Sequence, residues 1–228
     1  MSSSDLPTLS SAQVKELDRL AAERFGVAID WLMEAAGWQL ARFCDQPTAI
    51  VCGVGNNGGD GLAAARHLHR WGRLTNVSCI DPLRLRTEAR QELEALRRNG
   101  VRMSDRPQFE DAEIVLDAIF GTGLSRPPAG RFAEWIEAVN NSERRVVAVD
   151  VPSGLDADSG LAYAPCVHAQ ATVTFSLPKA GLMAGDGPRL SGEVWYADIG
   201  VPNEAFAAIG VHVPADLFSA GDIKRVRS

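Results

Sequence analysis

A run of glycine and small polar residues follows an apolar stretch early in the chain. Residues 53–61 read GVGNNGGDG; the apolar residues 49–52 precede them and a helix-like stretch, 62–71, follows. Glycines let the backbone approach a ligand closely, and free amides at the start of a helix point toward an anion. The pattern predicts a loop that binds a phosphate or a nucleotide.

Two later strand-like stretches end in equally unusual sequences. Residues 117–124 read DAIFGTGL, and residues 150–155 read DVPSGL. In a parallel sheet the carboxyl ends of the strands lie along one edge, where such folds bind ligands. The side chains expected to converge at this edge are Asn57, Asp60, Asp117, Asp150 and Ser153.

Three of these side chains carry oxygen atoms suited to a cation. Asn57, Asp117 and Ser153 offer an amide, a carboxylate and a hydroxyl oxygen, which hard cations prefer. Because the set contains no histidine or cysteine, zinc and copper are disfavoured. A weakly held monovalent ion and magnesium both fit this chemistry, and the residues alone leave the choice open.

Each polar residue also has a structural interpretation. Asp60 stands before the predicted helix and can be its N-cap instead of a ligand. Asp117, Asp150 and Ser153 can be turn formers at the ends of strands. Lys179 could reach a phosphate, but we expect it at the surface. Recurrence at three successive strand ends favours a functional edge.

The rest of the chain predicts the scaffold for that edge. A capping box at residues 10–13 opens a first helix, and Asp30 is expected to cap a second helix, over residues 31–43. Short apolar strands then alternate with helices, which indicates a mainly parallel sheet covered on both faces. The predicted strands are 49–52, 76–80, 114–118, 146–149, 171–175 and 194–197. The predicted helices are 62–71, 87–99 and 131–140. Residues 202–228 are weakly patterned.

Composition narrows the class of protein. The chain has 228 residues, which we interpret as a single domain spanning 1–228, and its net charge of −6 disfavours broad nucleic-acid binding. The cysteines lack the C-x-x-C spacing of zinc and redox sites. The first residues do not resemble a signal peptide, and no apolar run reaches the length of a membrane helix, so we expect a cytoplasmic protein.

The glycine run also permits a competing interpretation. Gly53, Gly55 and Gly58 match the G-x-G-x-x-G fingerprint of dinucleotide-binding folds, with Asp81 near the expected ribose-binding position. This favours an NAD-dependent dehydrogenase as an alternative. The extra glycines at 59 and 61 and the two later loops have no place in that fingerprint.

Taken with their neighbours, the three loops resemble the YjeF N-terminal domain family, the NAD(P)H-hydrate epimerases. The similar segments are 55–62, 65–68, 117–124 and 149–155, with further matches at 32–37, 178–182 and 198–202. They occur in the same order as in the family. Ala35 departs from the family pattern, where Asn is common.

The resemblance implies a fold and an activity. The fold is α/β: a three-layer αβα sandwich, Rossmann-like, with a mainly parallel central sheet and N-terminal helices, usually as a homodimer. The activity is interconversion of the R and S epimers of hydrated NADH and NADPH in cofactor repair, together with a separate ADP- or ATP-dependent dehydratase. A non-catalytic binding or scaffold module of the same fold remains the alternative.

The resemblance also assigns site residues. A potassium ion, one per subunit, would be held by Asn57, Asp117 and Ser153. The residues that would line the substrate are Asn56, Asn57, Gly58, Gly59, Asp60, Gly121, Thr122, Gly123, Leu124, Ser125, Arg126, Pro127 and Asp150.

Epimerisation at C6 of the nicotinamide ring needs an acid/base group. Our hypothesis gives this catalytic role to Asp150, because it ends a central strand beside the ligand loops. Loss of the hydroxyl to give an iminium species and ring opening to an aldehyde both remain possible routes.

Overall fold

The computed structural model describes residues 6–226 and contains a seven-stranded sheet. The strand order across the sheet is β2-β1-β3-β4-β5-β6-β7; the first six strands in this row are parallel and β7 runs antiparallel to β6. The strands are β1 (Thr48–Cys52), β2 (Leu74–Cys79), β3 (Ile114–Ala118), β4 (Arg145–Val149), β5 (Ala171–Phe175), β6 (Glu193–Ala197) and β7 (Ile223–Arg225).

Helices cover both faces of this sheet. The helices are α1 (Ser11–Glu23), α2 (Ile29–Phe43), α3 (Asn56–Arg70), α4 (Thr87–Arg98), α5 (Arg131–Asn140), α6 (Gly187–Leu190) and α7 (Asn203–Ala208). One core cluster joins α2, α3 and α4 to the sheet, and a second joins α5 to its opposite face. The αβα arrangement predicted from the sequence is therefore confirmed.

The six strands predicted from apolar runs are all present. Their central residues are buried on both faces, as expected for parallel strands between helical layers. The strand missing from the prediction is β7, which lies at the edge of the sheet, is three residues long and is only partly buried. It therefore lacks the apolar run that marks the other strands.

The strand order places the ligand crevice and separates this fold from the competing one. The order 2-1-3-4-5-6 puts β1 between β2 and β3, whereas the dinucleotide-binding fold has the order 3-2-1-4-5-6. The connection from β1 leads to β2 on one side, and the following connection leads to β3 on the other side of β1. At such a switch point between two parallel strands, a crevice opens beyond their carboxyl ends. Asp81, the expected ribose ligand of a dehydrogenase, does not line the cavity found there.

The glycine run is largely helical, which corrects two predictions. Helix α3 begins at Asn56, six residues before the predicted start, and its N-cap is Gly55. Asp60 is therefore not the N-cap but lies in the second turn. Propensity argues against glycine in helices, yet here Gly58, Gly59 and Gly61 allow contacts that a side chain would block.

Those contacts explain why α3 tolerates the glycines. A Cβ atom at Gly58 would lie 2.2 Å from the carbonyl oxygen of Gly53, and one at Gly61 would lie 2.6 Å from Cβ of Ala118. Similarly, a Cβ atom at Gly37 of α2 would lie 2.4 Å from Cβ of Ala63. Helix α3 therefore packs closely against both the sheet and α2.

Gly53 provides a test of this packing. We expect Gly53→Ala to destabilise the protein by about 3 kcal/mol or more, since its Cβ atom would lie 2.0 Å from the carbonyl oxygen of Ile119 and neither backbone can yield cheaply. Gly55→Ala is the matched control: nothing lies within 4 Å of a Cβ atom there, and its φ is −89°. Urea unfolding measures both. Equal stability of the two variants would contradict the account.

The N-terminal segment closes one side of the crevice. The capping box at Ser10 is present. The Ser10 hydroxyl oxygen accepts a hydrogen bond from the backbone amide of Gln13, and the Gln13 side-chain oxygen accepts one from the backbone amide of Ser10. Leu9 pairs with the chain around Lys179 through backbone hydrogen bonds of 2.9 and 3.1 Å. The prediction that Asp30 caps the second helix was wrong. Helix α2 begins at Ile29, so Asp30 lies in its first turn.

Candidate active site

A cavity of about 700 Å³ opens at the carboxyl ends of the strands. This volume lies within the range of small-molecule and cofactor sites. Its wall combines the start of α3, the segment after β3, the ends of β4 and β5, and α1. The polar residues that line it include Asp18, Asn56, Asn57, Asp60, Arg86, Thr122, Ser125, Asp150, Ser176 and Lys179.

The structure brings together most of the predicted substrate residues. Those that line the cavity are Asn56, Asn57, Asp60, Gly121, Thr122, Gly123, Leu124, Ser125 and Asp150. Gly58, Gly59, Arg126 and Pro127 do not line it. Gly58 faces the backbone of Gly53, and Gly59 faces Met33, because the helical course of α3 turns these positions inward.

Asp150 lies at a sharp bend where β4 ends. Its φ is +65°, a left-handed conformation that non-glycine residues rarely adopt. The amide of Val151 donates to the carbonyl of Val149 across the bend, at 2.7 Å. Ser176, at the end of the adjacent strand β5, repeats the conformation with a φ of +62°. Such backbone strain concentrates at functional sites, where surrounding structure holds it in place.

Asp150 forms a buried ion pair with Lys179. The Nζ atom of Lys179 lies 2.6 Å from Oδ1 of Asp150 and also donates to the carbonyl of Phe175. Lys179 is only 2% exposed. The expectation of a surface lysine was wrong, because the chain after β5 folds back under the N-terminal segment and carries the side chain inside.

The contacts of Asp150 leave one carboxylate oxygen available. Thr174 Oγ1 and the amide of Phe175 donate to Oδ1 at 2.9 and 3.3 Å, so the protein contacts all converge on that oxygen. Within residues 6–226, Oδ2 has no hydrogen-bond partner. Since Asp150 lines the cavity, this oxygen is the one that a ligand would meet.

Asp117 and Ser153 form a second buried polar group, beneath the cavity wall. Ser153 donates its hydroxyl to Oδ1 of Asp117 at 2.6 Å and its amide to Oδ2 at 2.8 Å. The Ser153 hydroxyl oxygen accepts the amide of Phe120 at 2.8 Å. Both side chains are fully buried. Burial raises the pKa of Asp117 to about 6, although the hydrogen bonds from Ser153 and Ile119 lower it.

Asn57 approaches this group across the loop after β3. A Cβ atom at Gly121 would lie 2.9 Å from Oδ1 of Asn57. Because glycine has no side chain, the Asn57 side chain can pack against the backbone of this loop, next to Phe120. The Asn57 Nδ2 atom is buried and has no hydrogen-bond partner within residues 6–226. The three predicted cation ligands thus share one neighbourhood.

The chemistry of this group of residues fits a cation of low charge, such as a monovalent ion. The atoms that could ligate it are amide, carboxylate, hydroxyl and carbonyl oxygens, and no lysine or arginine within residues 6–226 pairs with Asp117. A buried carboxylate without a cationic partner is costly, and a bound ion would supply the missing positive charge. The role of Asn57, Asp117 and Ser153 as cation ligands stays a prediction.

Two further acids line the cavity, and their surroundings raise their pKa values. Burial raises the pKa of Asp60 well above its ordinary value; the charges of Asp150 and Asp18 raise it further, and Lys179 opposes them. Burial raises the pKa of Asp18 to about 6, with Lys179 lowering it and Asp150 raising it. The cavity therefore holds more carboxyl groups than buried cations.

Sequence reasoning missed Asp18 and the buried state of Lys179. Asp18 follows the core residue Leu17 and precedes Ala21 by one helical turn, so it borders the apolar face of α1. An acid at that position is a detectable signal, because a solvent-facing residue would lie on the opposite side of the helix.

Comparison with known proteins gives the chain its family. Residues 29–181 match the family described as YjeF-related protein N-terminus. An NAD(P)H-hydrate epimerase from Dehalogenimonas lykanthroporepellens is 36% identical over 224 residues, which cover 93% of this chain and 90% of that protein. The chain belongs to this family. The YjeF resemblance inferred from the three loops is confirmed.

Relatives in the YjeF family differ in length. A bifunctional NAD(P)H-hydrate repair enzyme Nnr from Moorella thermoacetica is 38% identical over 219 residues, and the match covers 87% of this chain but only 41% of that protein. The chain thus spans about two fifths of the length of the bifunctional relatives. The crystal structure of yeast ynu0 has the same fold, with a TM-score of 0.79 and 23% identity over 96% of this chain and all of the yeast chain.

Proposed function

We propose that this protein is an NAD(P)H-hydrate epimerase, an isomerase that interconverts the R and S epimers of hydrated NADH and NADPH. The observation that carries the proposal is the cavity in which the glycine-rich start of α3, the 121–125 segment and Asp150 meet. Curated relatives that it matches over most of their length carry the name NAD(P)H-hydrate epimerase, which supports the same activity.

The start of α3 is suited to the diphosphate of the substrate. The first amides of a helix lack intrahelical partners and carry partial positive charge, which favours an anion. Arg86 lies at the cavity and its Nη1 atom is 3.3 Å from Oδ1 of Asn56, so a guanidinium also stands beside this end. Together these groups would orient the dinucleotide so that its reduced nicotinamide reaches Asp150.

Asp150 is the group we propose for proton transfer at C6. The ring nitrogen expels the C6 hydroxyl as water once its oxygen is protonated, and water then adds to either face of the iminium species. Lys179 pairs with Oδ1 of Asp150, which leaves Oδ2 as the oxygen that would accept a proton from the incoming water. Asp150 lines the cavity from the sharp bend that ends β4.

The proposed cation has a positioning role. Asn57, Asp117 and Ser153 would hold potassium, one ion per subunit. The ion would neutralise Asp117 and connect the start of α3 to the loop after β3, which together form one wall of the substrate cavity.

The family resemblance is also the basis for proposing a homodimer, a cytoplasmic location and a separate ADP- or ATP-dependent dehydratase as partner. Within residues 6–226, no helix is both long and apolar enough to cross a membrane.

Potassium binding is testable by thermal unfolding. When potassium exceeds its dissociation constant about fivefold, we expect stabilisation of about 1 kcal/mol, because a ligand that binds only the folded state shifts the equilibrium. Tetramethylammonium at equal ionic strength is the control for non-specific salt effects. Ser153→Ala should lose the potassium response. A wild-type protein that melts at the same temperature in both salts would contradict the cation proposal.

The activity itself is tested with a mixture of the two hydrate epimers. A dehydratase that consumes only one epimer leaves the other behind. Added wild-type protein should let the dehydratase exhaust the whole pool faster, because the remaining epimer is converted to the substrate form. A pool whose consumption is unchanged by the protein would refute the proposed function.

A further inference from the structure

We propose that Asp60 is a second catalytic residue, the proton donor to the departing C6 hydroxyl, with Asp150 accepting the proton of the incoming water. This inference rests on the proposed epimerase function and deepens it. It assigns the two halves of the proton transfer to two carboxyl groups in different surroundings, a division that recurs where paired acids share a site.

The position of Asp60 follows from the helical course of the glycine run. On α3, Asp60 follows Asn56 by four residues and Asn57 by three, so its side chain lies on the same face of the helix as theirs. All three line the cavity. If the start of α3 binds the diphosphate, Asp60 lies one turn deeper, on the side where the ring would enter.

The surroundings of Asp60 differ from those of Asp150. Within residues 6–226, the Asp60 carboxyl group has no ion pair and no hydrogen-bond partner, whereas Asp150 receives Lys179, Thr174 and the amide of Phe175. The buried ammonium is thus committed to one of the two acids. An acid that is partly removed from solvent and left without a cation keeps its proton to higher pH.

The other charged groups around Asp60 do not reverse this balance. Asp18 from α1 and Asp150 from the end of β4 add negative charge near Asp60, and the thiol of Cys52, which Asp60 also influences, is buried. The cations at the cavity besides Lys179 are Lys15 and Arg86, whose side chains are exposed to solvent. Burial and the neighbouring carboxylates accordingly raise the pKa of Asp60.

The proposed step is balanced in atoms and protons. Protonated Asp60 transfers its proton to the C6 oxygen, the C6–O bond breaks as the ring nitrogen forms a double bond to C6, and water leaves. A water molecule then adds at the other face, and its proton passes to Asp150. The proton returns from Asp150 to Asp60 through solvent in the open cavity, and the same steps in reverse convert the other epimer.

Kinetics of Asp60→Asn and Asp60→Glu test the assignment. Asp60→Asn should lower kcat by about 100-fold with little change in KM, since the amide fills the same space but donates no acidic proton. Wild-type kcat should fall as the pH rises through the pKa of Asp60; Asp60→Glu should retain this alkaline decline, and the residual activity of Asp60→Asn should lack it. Asp81→Asn, outside the cavity, is the control and should behave as wild type.

The outcomes separate this inference from the proposed function. A raised KM with an unchanged kcat in Asp60→Asn would show that Asp60 only contacts the substrate, and would overturn its role as proton donor. An unaltered alkaline decline in Asp60→Asn would do the same. Absence of epimerisation by the wild-type protein would instead refute the epimerase function. Folding is checked by thermal unfolding, and Asp60→Asn should be at least as stable as wild type at pH 8, because it replaces an acid whose ionised form is disfavoured by burial and by the neighbouring carboxylates.

Discussion

Asp150→Asn is expected to lower kcat for epimer interconversion by about a thousandfold, the upper part of the range for losing an acid/base group. The amide can still accept from Thr174 and the amide of Phe175, so the bend at the end of β4 should persist. It cannot accept a proton from water. Epimer interconversion measured by proton NMR, at saturating substrate, gives the change in kcat directly.

The control for this variant concerns Lys179. Without the Asp150 carboxylate the buried ammonium loses its partner, so the variant must be shown to be folded at the assay temperature. Substrate binding by the variant, measured by calorimetry, separates loss of chemistry from loss of affinity. A folded, substrate-binding Asp150→Asn protein with undiminished kcat would reject Asp150 as the acid/base group.

Lys179→Met is expected to lower the free energy of unfolding by about 3–5 kcal/mol. Removing one member of a buried ion pair leaves the other charge without compensation, which costs far more than losing an exposed pair. Both members are nearly inaccessible, at 2% and 10% side-chain exposure. Urea unfolding at pH 8 measures the loss.

A second variant separates the charge effect from packing. In Lys179→Met with Asp150→Asn, neither charge remains, so we expect part of the lost stability to return and the two changes to be non-additive. Lys15→Met replaces an exposed lysine of α1 and should change stability by less than about 0.5 kcal/mol. If Lys179→Met proves as mild as Lys15→Met, the buried pair does not stabilise the fold.

The sequence predicted the scaffold well because its strongest signals are local. Buried parallel strands are continuous apolar runs, and their loops carry the polar residues, so the three strand-end segments pointed to one edge of the sheet. The family resemblance rested on those same segments. The single-domain organisation, the potassium ion and the roles of individual site residues remain predictions.

The errors had a common physical cause. Local rules place glycine outside helices, yet α3 begins inside the glycine run because Gly58 and Gly61 must lie against Gly53 and Ala118. The burial of Lys179 depends on Leu9, which is 170 residues earlier in the chain. Contacts between segments so far apart cannot be inferred from spacing along one stretch of sequence.

The most direct test of the proposed activity starts from one purified epimer of hydrated NADH. The sample is incubated with the wild-type protein in ¹⁸O-labelled water and followed by proton NMR and mass spectrometry. We predict that the second epimer forms faster than in the protein-free sample, and that each inverted molecule carries the label at C6, because the original hydroxyl leaves. Retention of the original oxygen would favour ring opening as the route. A single epimer that persists as long with the protein as without it would contradict the assignment.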